Sequence, residues 1–483
     1  MLDVKRNLTT MTDFYELTMS AGYLDEGYVD KIAVFDMFFR RVPDGGGYAV
    51  MAGLQQFIDA VDHLKFTQED IDYLRTTGAF NEKFLNYLAN FKLHCNIWAI
   101  EEGMPIFPQE PIVTVEGPAI ECQLLETLLL VTFNHQCLIA TKANRIVRSA
   151  AGRPVMEFGA RRAQGYDAAY FGARASYIGG CGSTSCVMAA RDFGIPASGT
   201  MAHSWVQAFE NEYEAFKAYA ETYPDNCCLL VDTYNVLKSG VPNAIRVFNE
   251  VVLPKGFRPK SIRLDSGDLA YLSKKARKML DDAGFPDVKI MASNSLDEYI
   301  IRDLLLQDAK LDSFGVGENL ITSKNEPVFG GVYKLVAIEN DNGELIPKIK
   351  LSETAQKITT PGFKEVYRFY GRDNGKALAD YIVLAGEEVD DTKPITIFDP
   401  NDIWKKKTLT NFRAEKLQVQ IFKKGVQCYT APSLEEIRSY SAAQMDTLWD
   451  EIKRFEYPHT YYVDLSQKLW ETKQRLMEEM NQQ

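Results

Sequence analysis

The stretch Ser261-Ile262-Arg263-Leu264-Asp265-Ser266-Gly267-Asp268 joins a short apolar run to a polar turn, and a longer segment with helical periodicity follows. The same order of apolar run, turn and helical segment recurs along the middle of the chain, with runs at 155–158, 199–203, 228–232, 261–265, 289–293 and 313–317. Continuous apolar strands that alternate with helices are typical of a parallel sheet covered on both faces. Six such runs predict an α/β fold, and an irregular (β/α) barrel fits them better than an open sheet.

Barrels of this kind place their chemistry at the carboxyl ends of the strands. Almost every predicted strand in this chain ends in polar or small residues, which are Phe158-Gly159-Ala160-Arg161, His203-Ser204, Asp232-Thr233, Asp265-Ser266-Gly267-Asp268, Ser293-Asn294-Ser295 and Gly315-Val316-Gly317-Glu318. Ordinary turn chemistry would explain any one of them. Six together favour a pocket lined by these residues.

Ser198-Gly199-Thr200-Met201-Ala202-His203-Ser204-Trp205 is predicted to be the exit of a buried strand that lines this pocket. Small residues let the backbone approach a ligand closely, and His203 would then face that ligand. Histidine acts as a base or nucleophile because its unperturbed pKa is near neutrality. The alternative is a core histidine whose two ring nitrogens are both satisfied.

Arg263 and Asp265 are two residues apart on a predicted strand, so their side chains should lie on the same face. An arginine beside acids suits a ligand that carries a carboxylate or phosphate together with hydroxyls or Mg²⁺. The alternative is an internal ion pair that caps the next helix. Arg161 adds a cationic donor beside the aromatic Phe158, and the glycine-rich turn at 315–317 could present backbone N–H groups to a phosphate.

The segments on either side of the barrel have a different pattern. Residues 1–140 alternate helical and strand segments and predict an α+β N-terminal domain, while 141–345 form the predicted barrel. Residues 346–483 begin with antiparallel strands and close with two amphipathic helices near 434–455 and 464–481. These helices are predicted to serve packing only.

Composition excludes several classes of protein. Net charge is −12 and no basic block is present, so we expect no nucleic-acid partner. The apolar run 124–133 contains Glu126 and is too short to span a bilayer, and the first seven residues lack the apolar core of a secretory signal. Eight cysteines without CxxC spacing predict reduced, mostly buried thiols. We therefore expect a cytoplasmic protein without a membrane partner.

Taken together, the motifs of this chain resemble those of nicotinate phosphoribosyltransferase, a type II phosphoribosyltransferase. The resemblance runs in order along nearly the whole chain, and it rests on Thr12-Asp13-Phe14-Tyr15, Glu157-Phe158-Gly159-Ala160-Arg161-Arg162, Gly199-Thr200-Met201-Ala202-His203-Ser204, Arg263-Leu264-Asp265-Ser266-Gly267-Asp268, Phe314-Gly315-Val316-Gly317 and Lys350-Leu351-Ser352…Pro361-Gly362-Phe363-Lys364. It implies formation of nicotinate mononucleotide and pyrophosphate from nicotinate and phosphoribosyl pyrophosphate, in NAD salvage. It also implies Mg²⁺, a homodimer, and ATP hydrolysis through a phosphohistidine, so that the enzyme is classed as a ligase or a glycosyltransferase.

The resemblance also assigns roles to residues. His203 matches the phosphorylated histidine, and Asp265 the ribosyl or metal side of the site. The nicotinate contacts are carried over to Phe158, Arg161, Thr184, Thr200, Arg263 and a Tyr15 from the second subunit. Phosphate contacts are carried over to the loop that contains Gly315, Gly317 and Thr322.

Three alternatives remain. Nicotinamide phosphoribosyltransferase is similar in pattern, but there an aspartate falls at the position of Thr184. A carboxylate would repel nicotinate and a hydroxyl would not, which favours nicotinate as substrate. A site for the dicarboxylate quinolinate should be richer in lysine and arginine than these strand ends are. A non-catalytic binding protein on the same fold is disfavoured by the intact set of His203, Arg263 and Asp265.

Overall fold

The computed structural model describes residues 7–354 and 357–482. Most of the N-terminal stretch on which the expectation of no secretory signal rests therefore lies outside the described residues. The chain divides into two compact units. One is the continuous segment Ile139–Pro327, and the other combines the residues up to Leu138 with those from Val328 onwards. The predicted N-terminal and C-terminal regions thus share one unit.

The continuous unit is built on a six-stranded parallel sheet. Its strands lie in the order Ser183–Thr184, Val155–Glu157, Ser313–Val316, Lys289–Ala292, Ser261–Leu264 and Cys228–Leu230. Because all six run in the same direction, their carboxyl ends meet at one edge of the sheet. No strand pair joins the first of these strands to the last within the described residues, so strand pairing does not close the sheet, and the irregular barrel is not contradicted. The predicted α/β class is confirmed.

One of the six predicted strands is wrong. Residues 199–202 have no regular secondary structure, and His203 begins the short helix His203–Gln207. Just before this segment, Ala197 forms an isolated bridge with Thr184, and the Ser198 N–H donates to the Thr184 carbonyl. The sixth strand is instead Ser183–Thr184, whose two residues are too short a run for apolar periodicity to detect.

Helices alternate with these strands, as the pattern predicts. They are Tyr166–Ile178, Val187–Phe193, His203–Gln207, Glu212–Thr222, Val241–Val247, Leu269–Asp282, Glu298–Leu306 and Glu318–Ile321. Two begin at aspartate caps in the turn that follows a strand. Asp268 accepts a hydrogen bond from the Tyr271 N–H, and Asp297 accepts from the N–H groups of Tyr299 and Ile300. These caps satisfy N–H groups that have no partner within the helix.

The other unit contains antiparallel sheets. Seven strands lie in the order Leu345–Pro347, Gly331–Glu339, Ile32–Phe39, Val113–Pro118, Asn96–Ile100, Gln418–Lys423 and Val426–Gln427. A second sheet has the order Phe412–Lys416, Lys364–Gly371, Ala377–Leu384 and Val463–Leu465, and its last pair is parallel. Two-stranded pairs join Ile395–Phe398 to Lys406–Leu409 and Ala49–Val50 to Pro105–Ile106.

Amphipathic helices cover these sheets. They are Phe14–Asp25, Leu54–Asp62, Gln68–Thr76, Glu82–Ala89, Ala119–Gln123, Glu126–Ser149, Leu434–Thr447 and Gln467–Asn481, and the sixth crosses the boundary between the units. The helix Leu54–Asp62 shows the principle, because it buries Leu54, Phe57, Ile58 and Val61 at helical spacing.

An ion pair lies in the core of this discontinuous unit. Arg368 and Asp380 face each other across paired strands and are fully buried, with Nε–Oδ1 and Nη2–Oδ2 distances of 2.7 Å and 2.5 Å. The guanidinium also donates to the carbonyl of Pro105, and the Tyr461 hydroxyl donates to Asp380. Burial, reinforced by Asp380, raises the pKa of the neighbouring Glu110 well above its ordinary value.

The long apolar segment Ala119–Ser149 includes the run 124–133 that was expected not to span a membrane. The segment Ala119–Ser149 is long and apolar enough to cross a membrane by length and composition alone, but 67% of its most apolar window is buried inside the protein. It therefore has the character of a core helix.

All eight cysteines are free thiols and six of them are buried, with Cys186 half-buried and Cys428 exposed, which confirms the prediction of mostly buried thiols.

Candidate active site

Arg263 is the centre of a hydrogen-bonded cluster at the carboxyl edge of the parallel sheet. Its guanidinium donates to the hydroxyl of Ser293 at 2.8 Å, to the hydroxyl of Thr200 at 3.0 Å and to Asp265 Oδ1 at 2.9 Å. The last contact confirms that Arg263 and Asp265 share a face. Only 13% of the Arg263 side chain is exposed, so its orientation is fixed by neighbours.

Asp265 is held from several sides. It accepts a hydrogen bond from the Ser293 hydroxyl, which itself accepts from Arg263. The Asp265 backbone N–H donates to Asp232 Oδ2 at 2.9 Å, and the hydroxyl of Ser266 donates to the same oxygen at 2.6 Å. The ends of three neighbouring strands are therefore tied together around the Asp265 carboxylate.

His203 lies beside this cluster. Its Nδ1 is 3.1 Å from the Thr233 hydroxyl oxygen, and its Nε2 is 3.7 Å from Asp265 Oδ2. When Nδ1 carries the proton and donates to Thr233, the lone pair of Nε2 is free to act as a nucleophile. The side chain is 41% exposed. The alternative of a fully satisfied core histidine is therefore wrong for this residue.

Phe158 packs between the cluster and the glycines of the 315–317 strand end. Its ring centroid is 5.9 Å from the Arg263 guanidinium carbon. A Cβ atom added at Gly315 would lie 2.6 Å and 2.8 Å from two carbons of this ring, and one at Gly317 would lie 3.2 Å from the Phe158 carbonyl oxygen. Both glycines thus make room for Phe158. Their predicted role in phosphate binding stays a prediction.

We expect Gly315→Ala to destabilise the protein because its methyl group would overlap the Phe158 ring. Overpacking of this kind costs about 1–3 kcal/mol. The measurement is the free energy of unfolding from urea denaturation. In the Phe158→Ala background the same change should cost much less, because the ring is gone. An equal cost in both backgrounds would show that the ring does not impose the glycine.

Glu157 and Thr184 form a buried pair next to Phe158. The Thr184 hydroxyl donates to Glu157 Oε2 at 2.6 Å and accepts from the Cys186 N–H at 3.0 Å, while Glu157 Oε1 accepts from the Gly159 N–H. Neither residue is exposed. Burial raises the pKa of the Glu157 carboxyl group. The hydroxyl proton of Thr184 is thus committed to a protein partner.

The remaining predicted site residues lie apart from this network. Arg161 is exposed on the short turn Ala160–Arg162, at the same edge of the sheet. The Thr322 hydroxyl donates to the carbonyl of Glu318 at 2.8 Å. Tyr15 belongs to the other unit, where it lies on the helix Phe14–Asp25 and is exposed.

Four residues of this network had no individual role among the predicted site residues. Ser293 joins Arg263 to Asp265, Asp232 holds the Asp265 backbone, Thr233 contacts His203, and Glu157 holds Thr184. Ser293, Asp232 and Thr233 were expected only as part of the pocket lining, because they lie at the ends of apolar runs. Glu157 was missed because it is the last residue of its strand, where polar residues usually face solvent.

The parallel α/β unit carries a largely buried arginine, an aromatic ring and a partly exposed histidine at its carboxyl edge, which is where the class of α/β-barrel enzymes places its active sites. Family models agree with this class. The N-terminal domain model of nicotinate phosphoribosyltransferase matches residues 10–134, the family model matches 154–368, and the C-terminal domain model matches 363–473.

Individual relatives are similar to this chain over nearly its whole length. The nicotinate phosphoribosyltransferase of Bacillus subtilis is 46% identical over 98% of this chain and 96% of its own. The crystal structure of the human nicotinic acid phosphoribosyltransferase matches with a TM-score of 0.85 at 30% identity, over 96% of this chain and 99% of that one. The chain therefore belongs to the nicotinate phosphoribosyltransferase family of enzymes. A nicotinate-nucleotide pyrophosphorylase from Pyrococcus furiosus, at 24% identity and a TM-score of 0.70, shares the fold.

Proposed function

We propose that this enzyme transfers the phosphoribosyl group of phosphoribosyl pyrophosphate to the ring nitrogen of nicotinate. A bond forms between that nitrogen and the anomeric carbon, while the bond from this carbon to pyrophosphate breaks and pyrophosphate leaves with the electron pair. The observation that carries the proposal is the Arg263 cluster beside Phe158 in a member of this family. The product would enter NAD salvage, and we expect the enzyme in the cytoplasm.

The site chemistry suits this reaction. Phe158 offers a ring face for stacking a pyridine, and Arg263 offers a charge-assisted contact to a carboxylate or phosphate. Stacking and such a contact contribute on the order of 1–3 kcal/mol each. Because the Arg263 guanidinium is already oriented by Thr200, Ser293 and Asp265, little reorganisation accompanies substrate binding. Arg161 and the 315–322 loop would add contacts to nicotinate and phosphate.

ATP is the proposed co-substrate, with His203 as the residue that it phosphorylates. Nε2 of His203 would attack the terminal phosphorus of ATP and ADP would leave. Water would later cleave the phosphorus–nitrogen bond to release phosphate. The Thr233 contact at Nδ1 supports this role, because it can fix the tautomer whose Nε2 lone pair is free.

Mg²⁺ is the proposed metal, and the residues present fit a weakly held ion. Among the described residues, no group of three or more His, Cys, Asp or Glu side chains is arranged to hold a metal. Mg²⁺ is commonly bound by one or two carboxylates together with substrate phosphates and water. Asp265 and Asp232 would supply these carboxylates, since Asp232 Oδ1 is buried without a partner. When bound, the ion neutralises charge on the departing pyrophosphate.

The proposed activity is tested with the purified protein, phosphoribosyl pyrophosphate and Mg²⁺. Nicotinate or nicotinamide is supplied with and without ATP, and mononucleotide, pyrophosphate and ADP are quantified by chromatography. We expect product from nicotinate, and more of it with ATP. Product from nicotinamide alone would favour the nicotinamide enzyme, and no product from either base would contradict the proposal.

A homodimer with shared sites is the proposed assembly. The helix Phe14–Asp25 and the residues before it expose large apolar side chains, with exposed fractions of 46% for Met11, 52% for Phe14, 44% for Tyr15 and 39% for Met19. A patch of this kind marks an interaction surface. A second copy of the chain would cover it and would receive Tyr15 at its nicotinate site.

Mixing two inactive variants is expected to restore activity if sites are shared. Tyr15→Ala damages the residue that a chain donates, and Asp265→Ala damages the site that receives it. A hybrid dimer then contains one intact site, so random exchange should return up to about a quarter of the wild-type activity. Activity is measured after the subunits are mixed under mild denaturant and refolded together. Exchange shown by mass spectrometry without any regained activity would contradict shared sites.

A further inference from the structure

Glu157 is a buried acid that the proposed reaction does not use. It ends the strand that leads into Phe158, and it has no exposed surface. The two hydrogen bonds that it accepts come from neutral donors, the Thr184 hydroxyl and the Gly159 N–H. Burial of a carboxyl group is costly in such surroundings, and an apolar side chain at this position would avoid the cost. A functional role would explain why a carboxyl group is kept at this buried position.

The two donors lie on either side of the ring-stacking residue. Glu157 is paired in register with Thr184 on the neighbouring strand, and Gly159 directly follows Phe158. One carboxyl group therefore joins the end of the Ser183–Thr184 strand to the turn that carries Phe158. The Thr184 hydroxyl extends this connection, because it accepts from the N–H of Cys186.

The Phe158 ring has little freedom on its other side. Gly315 leaves space only for the ring itself, and Gly159 is packed so closely that an added Cβ would lie 2.6 Å from Ile321 Cβ. The Phe158 N–H donates to the carbonyl of Val316 at 2.7 Å. If Glu157 released the turn, Phe158 could shift only by leaving its position near Arg263.

We propose that Glu157 is a positioning residue for the flat-ring substrate, holding Phe158 and Thr184 in the one arrangement that accepts it. This inference rests on the proposed function, because it assigns Glu157 to the nicotinate side of that site. Glu157 acts as a double acceptor of hydrogen bonds. Its loss affects the binding of nicotinate and leaves the binding of phosphoribosyl pyrophosphate unchanged.

The test compares Glu157→Ala, Glu157→Gln and wild type by steady-state kinetics and by calorimetric titration with nicotinate. We expect Glu157→Ala to raise the KM and the Kd of nicotinate about tenfold, as expected for loss of one to two hydrogen bonds, with the KM of phosphoribosyl pyrophosphate within about twofold. Glutamine keeps only one of the two acceptor oxygens, so Glu157→Gln should restore part of the nicotinate affinity, with a KM between those of Glu157→Ala and wild type.

Glu212→Ala is the matched control. Glu212 is also a buried acid of this unit that accepts hydrogen bonds from side chains, those of Ser239 and Asn243, but it begins the helix Glu212–Thr222, and its partners belong to other segments than the turn that carries Phe158. Its loss should lower the urea midpoint and leave the nicotinate KM unchanged. If Glu157→Ala changes both KM values equally, or leaves both unchanged, or if glutamine fails to rescue, the positioning role is overturned.

Thr184→Val provides a second variant in case Glu157→Ala does not fold. Valine keeps the shape of threonine and removes the hydroxyl, so it breaks the same connection from the other end. We expect a severalfold rise in the KM of nicotinate alone, and an unchanged value would overturn the inference. Wild type measured in parallel separates the two claims, because a wild-type enzyme without product contradicts the proposed function itself.

Discussion

Asp265→Ala is expected to reduce the formation of nicotinate mononucleotide at least about 100-fold, both with and without ATP. The carboxylate accepts hydrogen bonds from Arg263 and Ser293, and a hydrogen bond to a charged group contributes about 1.5–3 kcal/mol. Loss of both releases Arg263, and each 1.36 kcal/mol of lost transition-state stabilisation is about a factor of ten in rate. The measurement is kcat/KM for nicotinate at saturating phosphoribosyl pyrophosphate.

His203→Ala is the variant with which Asp265→Ala is compared, because the two residues have different proposed roles. It should abolish ATP hydrolysis and the incorporation of phosphate from ATP, yet leave slow synthesis without ATP, because its proposed role lies in the coupling. Asp282→Ala removes an exposed acid that pairs with Lys278 and should leave both activities unchanged. Equal ATP-independent rates in Asp265→Ala and wild type would contradict the proposed role of Asp265. Phosphate uptake by His203→Ala would place the phosphorylated residue elsewhere.

Arg368→Met is expected to cost about 3–5 kcal/mol of unfolding free energy, because it leaves the fully buried Asp380 carboxylate without its cation. The measurement is urea denaturation followed by circular dichroism. The double variant Arg368→Met/Asp380→Leu removes both charges and should regain most of the loss. Arg246→Met, which breaks an exposed pair with Glu250, should change the midpoint little. A small cost for Arg368→Met alone would show that water reaches the pair.

The sequence predicts the parallel sheet well, because five of its six strands coincide with predicted apolar runs. The strand Ser183–Thr184 is the exception, since two polar residues carry no periodicity and join the sheet through pairing with Met156 and Glu157. The helices near both ends of the chain follow from their apolar spacing. The sequence did not predict that the N-terminal and C-terminal regions share one unit. The pairing between strands 96–100 and 418–423 joins distant segments and produces no local sequence pattern.

In the candidate site, contacts between residues close in sequence could be predicted, and contacts between distant segments could not. Arg263 and Asp265 are two residues apart on a strand, so their common face follows from strand geometry. The partners that fix them, Thr200 and Ser293, come from other segments, so their contacts with Arg263 could not be derived from spacing along the chain. The predicted contact of Gly315 with a phosphate stays a prediction, while the structure shows that this glycine lies close to the Phe158 ring. A glycine indicates a close approach, and the sequence does not say of what.

The insertion of a continuous unit into a discontinuous one has a consequence for the newly made chain. All strands of the unit 139–327 are present once residue 327 has been synthesised, so this unit can fold while the ribosome is still translating the rest of the chain. The other unit cannot complete its seven-stranded sheet until Gln418–Lys423 pairs with Asn96–Ile100. Until then the strand Asn96–Ile100 is an open sheet edge, a ready template for pairing with another nascent chain. We therefore expect the risk of aggregation during synthesis to last until Gln418–Lys423 has been made and has paired.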